Sequence, residues 1–182
     1  KHLQSIALLN EDNQNEKIRA YINQLMQSSD LLEFSKICDH KILNNILCRY
    51  KKVCNDLHIA FHADIRSNTT TFLSDSDVTS LFCNMLDNAV EASNHIKDSY
   101  IEITAAQRKH TPFVIITIIN SCAGNPFSPN GELVSSKQNP QAHGFGIKSM
   151  EKIIHNYNGN IQMYYDEETS TFHTIIMLKK KQ

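Results

Sequence analysis

The chain has 182 residues, of which 41% are hydrophobic, and its formal net charge is −1. This length fits one ordinary domain with a small addition, and the near-neutral charge provides no basic surplus that would favour nucleic acid as a partner. No apolar stretch approaches the roughly 18 residues that cross a bilayer, and the five cysteines contain no Cys-x-x-Cys pair, which argues against a zinc or disulfide framework and favours a reducing, cytoplasmic compartment.

The first 34 residues have the pattern of a short helical hairpin. Residues 2–10 carry apolar side chains at helical spacing, and residues 16–29 resume that spacing after a polar interruption. Two helices of this length have too little core to be stable alone. We therefore expect the hairpin 1–34 to pack against a second copy or against the rest of the chain, and we assign residues 35–182 to a separate domain.

A longer helix is predicted after Asp39, because apolar residues recur at helical spacing and form its stripe: Ile42, Ile46, Tyr50, Val53 or Cys54, and Leu57. Apolar and polar residues then alternate over 57–65, which predicts a strand. A polar link leads to a second helix, for which either Ser76 or Asp77 is a suitable N-terminal cap.

The second helix carries the side chains that first indicate a function. At about 100° per residue, Asn84, Asn88, Glu91 and His95 share one narrow stripe of the helix surface. The adjoining stripe is apolar and consists of Leu81, Met85, Ala89 and Ala92. Such a helix buries its apolar side and directs a row of amides and carboxylates into a cavity.

The rest of the chain alternates between strands, one long loop and one helix. Residues 101–105 alternate, whereas 113–119 are almost continuously apolar and are expected to form a central strand. Residues 122–142 are rich in Gly, Pro, Asn and Ser, and a loop of this length in a compact domain is usually functional or disordered.

A Gly-x-Gly turn, Gly144 and Gly146, opens the last helix, and such a helix start favours bound phosphate. The dipeptide Asn158-Gly159 ends this helix, and two alternating strands follow.

This order of elements predicts an α+β fold. Strands that follow one another directly imply a mixed sheet, and the intervening helices are expected to cover one face of it. We therefore predict a two-layer α/β sandwich preceded by the helical hairpin. The amide row and the glycine-opened helix together predict a site for a magnesium-bound nucleotide.

The chain resembles the ATP-binding domain of sensor histidine kinases over nearly its whole length. The most specific motif is Asn-Met-Leu-Asp-Asn-Ala-Val-Glu-Ala at 84–92, and the second is His-Gly-Phe-Gly-Ile at 143–147. The resembling domain has the Bergerat-type ATP-binding fold and belongs to the superfamily shared with gyrase, Hsp90 and MutL. Within the kinases, the chain is most similar to those that respond to secreted quorum-sensing peptides in Gram-positive bacteria.

The resemblance implies ATP and Mg²⁺ as ligands, with Asn88 as the metal ligand. A neutral amide oxygen suits Mg²⁺, which usually takes only one or two oxygens from protein. Asn84 stands where hydrolysing relatives carry a glutamate that activates water, and an amide cannot accept that proton. This difference favours phosphoryl transfer over a clamp-type ATPase. Glu91 lies one turn further on and is expected to position Asn88 or a metal-bound water.

The resemblance assigns the remaining ATP-binding residues as well. Asn120 stands where the family has an aspartate that accepts a hydrogen bond from the adenine amino group, and its neutral oxygen accepts without charge assistance. Lys137, in the long loop, is assigned to phosphate. His143 is expected to bind phosphate or to shape the turn before Gly144 and Gly146.

The phospho-accepting histidine is expected upstream of Lys1, because Lys1-His2-Leu3 resembles a stretch that follows the acceptor in these kinases. The resemblance implies a homodimer through the hairpin and a response regulator as the downstream partner. It also implies a full-length protein that a further N-terminal region anchors at the cytoplasmic side of the cell membrane. This chain by itself is expected to bind ATP but not to phosphorylate itself efficiently.

Two alternatives remain open. A serine kinase of the anti-sigma-factor type has the same fold, but such proteins lack this hairpin and usually carry an acid at the position of Asn84. A non-catalytic domain that dimerises and docks partners would also explain the amide at position 120. Nucleotide binding separates this last alternative from both kinases, and acid-labile phosphate separates histidine from serine chemistry.

Overall fold

The computed structural model describes residues 36–131, 133 and 145–180 of the chain. The helices of this part are α1 (Lys41–Asp56), α2 (Asp75–Ser93) and α3 (Phe145–Asn156). Its strands are β1 (Ala60–Ile65), β2 (Tyr100–Gln107), β3 (Phe113–Ser121), β4 (Asn160–Asp166) and β5 (Thr171–Lys179). The predicted hairpin 1–34 lies outside the described residues, as do Lys137, His143 and Gly144.

The strands form one mixed sheet in the order β1-β2-β3-β5-β4. β1 and β2 are parallel, and the other neighbouring pairs are antiparallel. The predicted mixed sheet is confirmed. β3, whose sequence is almost continuously apolar, is the central strand.

The hydrophobic core lies between the helices and one face of the sheet. Val114, Ile116 and Ile118 alternate along β3 and are almost completely buried. They belong to one cluster with Phe82 of α2, whose side chain is 0% exposed. Burying a side chain of this size contributes about 1.5–3 kcal/mol to stability. The predicted two-layer arrangement is confirmed, and Asn120 is the next position of β3 on the same face.

The start of α2 differs from the prediction. Ser74, rather than Ser76 or Asp77, is the N-terminal cap, because its hydroxyl oxygen accepts a hydrogen bond from the Asp77 backbone N–H at 3.1 Å. Residues 74–77 read Ser-Asp-Ser-Asp, and every one of them is a favourable cap by residue type. Sequence pattern alone therefore did not distinguish among the four positions.

The end of α2 is also earlier than the predicted stripe requires. The helix ends at Ser93, Asn94 is its C-terminal cap, and His95 has a φ of 64° in the left-handed region. His95 is therefore not a member of the helical row. In the part of the chain that the structure describes, we find no helix with the length and apolar character needed to cross a membrane.

Candidate functional site

The amide row of α2 and the glycine-opened helix α3 lie against each other. A Cβ atom placed on Gly146 would lie only 3.0 Å from the side-chain oxygen of Asn84. Gly146 therefore permits an approach between the two helices that a larger residue would obstruct. Had these helices lain on opposite faces of the domain, the predicted site would have been excluded.

Hydrogen bonds fix the orientation of the Asn84 side chain. Its Nδ2 donates to the backbone oxygen of Ser80 at 2.7 Å, which leaves Oδ1 directed towards α3. The Ser80 hydroxyl oxygen lies 3.1 Å from that of Ser149 on α3, so a second polar contact joins the same two helices. Asn84 thus presents a neutral oxygen at the junction.

Asn88 and Glu91 continue the row beyond Asn84. They follow it by four and seven residues, so they share its side of the helix, and both are exposed. An exposed amide oxygen fits Mg²⁺, which retains several waters and needs only one or two protein oxygens. Among the described residues no group of three or more His, Cys, Asp or Glu side chains could hold a metal ion. The assignment of Mg²⁺ to Asn88 stays a prediction from the sequence.

Asn120 lies at the end of β3, beneath the C-terminal part of α2. It is only 2% exposed, and its Nδ2 donates to the backbone oxygen of Ser121 at 2.9 Å. The Ser93 hydroxyl of α2 donates to the same oxygen at 3.1 Å, which joins the end of the helix to the end of the strand. Because that bond uses the amide nitrogen of Asn120, Oδ1 is the atom suited to accept from a ligand.

An aromatic pair beside Asn120 was missed by the sequence reasoning. Phe172 of β5 is the direct cross-strand partner of Asn120 and therefore shares its face of the sheet. The ring of Phe127, in the first part of the long loop, lies 5.8 Å from that of Phe172. Phe127 also forms an isolated antiparallel bridge with Leu133. The only signal in the sequence was that Phe127 is the one aromatic residue of the loop 122–142.

The amide side chains of the candidate site carry no charge. Asn84, Asn88 and Asn120 do not titrate, so the negative charges on this stretch of α2 come from Glu91 and from Asp87, which precedes Asn88. The amide oxygens of Asn84 and Asn88 can approach an anionic ligand without the repulsion that carboxylates at those two positions would add.

Comparison with known proteins gives one family match. A family model described as a GHKL domain matches residues 73–178, which is more than half of the chain and includes α2, α3, β2 to β4 and all of β5 except Lys179. A search of curated proteins returned no match.

Several solved structures have a similar fold. The catalytic domain of the histidine kinase ThkA is 18% identical with a TM-score of 0.58, covering 77% of this chain and 91% of that chain. A mycobacterial sensor histidine kinase, MprB, is 16% identical with a TM-score of 0.59, and the match covers 78% of this chain and 95% of that chain. The histidine kinase AdeS of Acinetobacter baumannii is 15% identical with a TM-score of 0.55, and the match covers 100% of this chain and 92% of that chain. At these identities the similarity shows the fold alone, and it confirms the α+β prediction.

Proposed function

The chain belongs to the GHKL domain family, and on this premise we propose that it is the ATP-binding catalytic part of a sensor histidine kinase. The observation that carries the proposal is the contact between Asn84 and Gly146, which brings the amide row beside the glycine-opened helix. The fold shared with the catalytic domains of histidine kinases supports it. The proposed ligand is ATP with Mg²⁺, and Asn88 is the proposed metal ligand.

The proposed nucleotide extends from the start of α3 towards the end of β3. Its phosphates would lie at the N-terminus of α3, where backbone N–H groups and the helix dipole favour negative charge. Lys137, His143 and Gly144 are proposed phosphate contacts on the basis of sequence. The adenine amino group would donate to Asn120, and the pair Phe127 and Phe172 offers an apolar wall beside it.

In phosphoryl transfer the main task of the protein is to position the reacting groups. Phosphoryl transfer depends mainly on alignment and on neutralising charge, and bound Mg²⁺ supplies much of that neutralisation on the phosphate oxygens. Asn84 cannot act as a general base, since an amide accepts no proton at ordinary pH and its nitrogen is bonded to Ser80. The site is therefore better suited to passing phosphate to an acceptor residue than to activating water.

The acceptor and the partners remain proposals from the resemblance. We propose a histidine upstream of Lys1 as the acceptor, the hairpin 1–34 as the homodimer contact, and an aspartate of a response regulator as the next recipient. Membrane anchoring through a further N-terminal region and a quorum-sensing peptide as the stimulus belong to the same proposal.

Phosphate transfer from ATP tests this assignment. We expect a longer chain that includes the upstream segment to incorporate the γ-phosphoryl group of Mg-ATP as acid-labile phosphate, because phosphohistidine hydrolyses in acid. The same longer chain with Asn88→Ala is the control and is expected to incorporate much less. Acid-stable phosphate would support the serine-kinase alternative instead, and failure to bind nucleotide would support a non-catalytic docking domain.

The contact between the two helices makes a second prediction. We expect Gly146→Ala to weaken Mg-ATP binding about fivefold, because the new methyl group presses on an Asn84 side chain that Ser80 holds in place. Stability should fall by no more than about 1 kcal/mol, because the helix preference of alanine over glycine offsets part of the overpacking cost. Isothermal titration calorimetry measures the affinity, and urea unfolding measures the stability. Unchanged affinity would mean that this close approach is not part of the binding site.

A further inference from the structure

The flank of α2 that faces α1 is held by a buried tyrosine. Tyr50 of α1 is 3% exposed, and its hydroxyl donates to Oδ1 of Asp87 at 2.5 Å. The same hydroxyl lies 3.4 Å from the backbone oxygen of Cys83, one turn earlier on α2. One side chain of α1 therefore contacts two successive turns of α2.

The residue before Tyr50 reinforces this junction. The guanidinium carbon of Arg49 lies 4.7 Å from the centre of the Tyr50 ring, within the range of a cation–π interaction. Its Nη2 lies 3.7 Å from the sulfur of Cys83. Two consecutive residues of α1 thus contact the same strip of α2, which we call the Asp87 flank and which consists of Cys83 and Asp87.

The Asp87 flank borders the amide row directly. Asp87 precedes Asn88, follows Asn84 by three residues and precedes Glu91 by four, so on a helix its side chain neighbours those of Asn84 and Glu91. Asp87 is exposed, yet its carboxylate is bonded to a residue of α1. Released from that bond, the carboxylate would be free to turn towards the row and would add negative charge beside a bound triphosphate.

We propose that Tyr50 is a positioning residue for the nucleotide site: it holds the Asp87 carboxylate against α1 and so keeps a second negative charge, beside that of Glu91, away from the row that faces the triphosphate. This inference rests on the proposed function. Burial, and then the hydrogen bond to Asp87, raise the pKa of the Tyr50 hydroxyl well above its ordinary value. The hydroxyl therefore remains a donor throughout the pH range in which the protein would work.

The test is a double-mutant cycle read out as Mg-ATP affinity. We expect Tyr50→Phe to weaken binding about five- to tenfold, because it frees the carboxylate while preserving the ring. Asp87→Asn should weaken Mg-ATP binding by no more than about twofold, since an amide oxygen still accepts the hydrogen bond from Tyr50. The double variant should bind about as tightly as Asp87→Asn alone, because no charge remains to be held; such non-additivity is the signature of two residues acting through one interaction.

Ionic strength provides a readout that a merely structural hydrogen bond would not change. The loss of Mg-ATP affinity caused by Tyr50→Phe should become smaller as the salt concentration is raised, because the freed Asp87 charge lies at an exposed position and is screened. Affinities of all four proteins are measured at low and at high salt in the presence of Mg²⁺, and urea unfolding of each confirms a cooperative native state.

Tyr157→Phe is the matched control. Tyr157 also donates to a carboxylate of α2, Asp77, at 2.7 Å, but does so in the first turn of the helix, about two turns before Asn84 and outside the Asp87 flank. Removing the Tyr157 hydroxyl should leave Mg-ATP affinity within about twofold of the wild type, because the Asp87 flank is unchanged. An equal loss in Tyr50→Phe and Tyr157→Phe would indicate a general loosening of α2 and would overturn the proposal.

Three further outcomes separate this inference from the proposed function. If the wild-type chain binds Mg-ATP and Tyr50→Phe binds equally well, or if the double variant binds no more tightly than Tyr50→Phe, Tyr50 does not act through the charge of Asp87. If the wild-type chain does not bind Mg-ATP at all, the proposed function is wrong and the inference is wrong with it.

Discussion

Asn88→Ala is expected to weaken Mg-ATP binding by at least about tenfold, which corresponds to about 1.4 kcal/mol. The reason is the small number of protein ligands that Mg²⁺ takes: where an ion uses only one or two protein oxygens, the loss of one removes a large share of its contacts with the protein. Calorimetric titration with ATP should show this loss in the presence of Mg²⁺. With EDTA present, wild type and variant should bind ATP with similar, weaker affinities.

Asn45→Ala is a suitable control for this experiment. Asn45 is also exposed on a helix, α1, so replacing it makes the same chemical change outside the amide row. Its Mg-ATP affinity should equal that of the wild type. Equal affinities of wild type and Asn88→Ala in Mg²⁺ would contradict the metal role, whatever the stability of the variant.

Sequence periodicity was sufficient to predict which candidate residues share one side of α2, but not the contacts that they make. Asn84, Asn88 and Glu91 share one side of α2 because a helix repeats every 3.6 residues, and this follows from their spacing alone. The contact between Asn84 and Gly146 joins residues far apart in the chain, and it depends on how α2 packs against α3. No local pattern encodes that packing, so the sequence could predict only that both elements belong to one site.

Two other features show the same limit. Phe172 lies beside Asn120 because of the register between β3 and β5, which is fixed by the whole sheet rather than by either strand. Tyr50 reaches Asp87 because α1 and α2 pack side by side. From the sequence, Tyr50 was simply an apolar-face residue of the first helix, and that prediction is confirmed by its burial. Its polar role depended on a partner 37 residues away.

The treatment of charge on α2 connects these contacts to function. The helix uses amides where it approaches α3, whereas the neighbouring Asp87 is bonded to Tyr50 of α1. An extra carboxylate beside a bound triphosphate would repel it and raise the free energy of the complex. Amide oxygens can coordinate a metal ion without that repulsion. We infer that the bond to Tyr50 keeps the charge of Asp87 apart from the amides Asn84 and Asn88, so that Glu91 is the carboxylate left in their row.

The second large effect is expected at Gly159, between α3 and β4. A Cβ atom there would lie 2.4 Å from the backbone oxygen of Met177 and 2.8 Å from Cδ2 of Leu178. Leu178 is 0% exposed, and Met177 belongs to a strand paired on both sides, so neither can move aside easily. We expect Gly159→Ala to lower the free energy of unfolding by about 3 kcal/mol, at the upper end of the usual cost of overpacking. Urea unfolding monitored by circular dichroism measures this value.

Gly124→Ala provides the comparison that assigns the cause to this close approach. No atom lies within 4 Å of a Cβ placed on Gly124, and its φ lies outside the left-handed region, so the same substitution should change stability by less than about 0.5 kcal/mol. Equal stabilities of the two variants would show that the turn after α3 adjusts freely. A large difference would show that the end of α3 is fixed against β5, and the helix that carries Gly146 is then a rigid wall of the site.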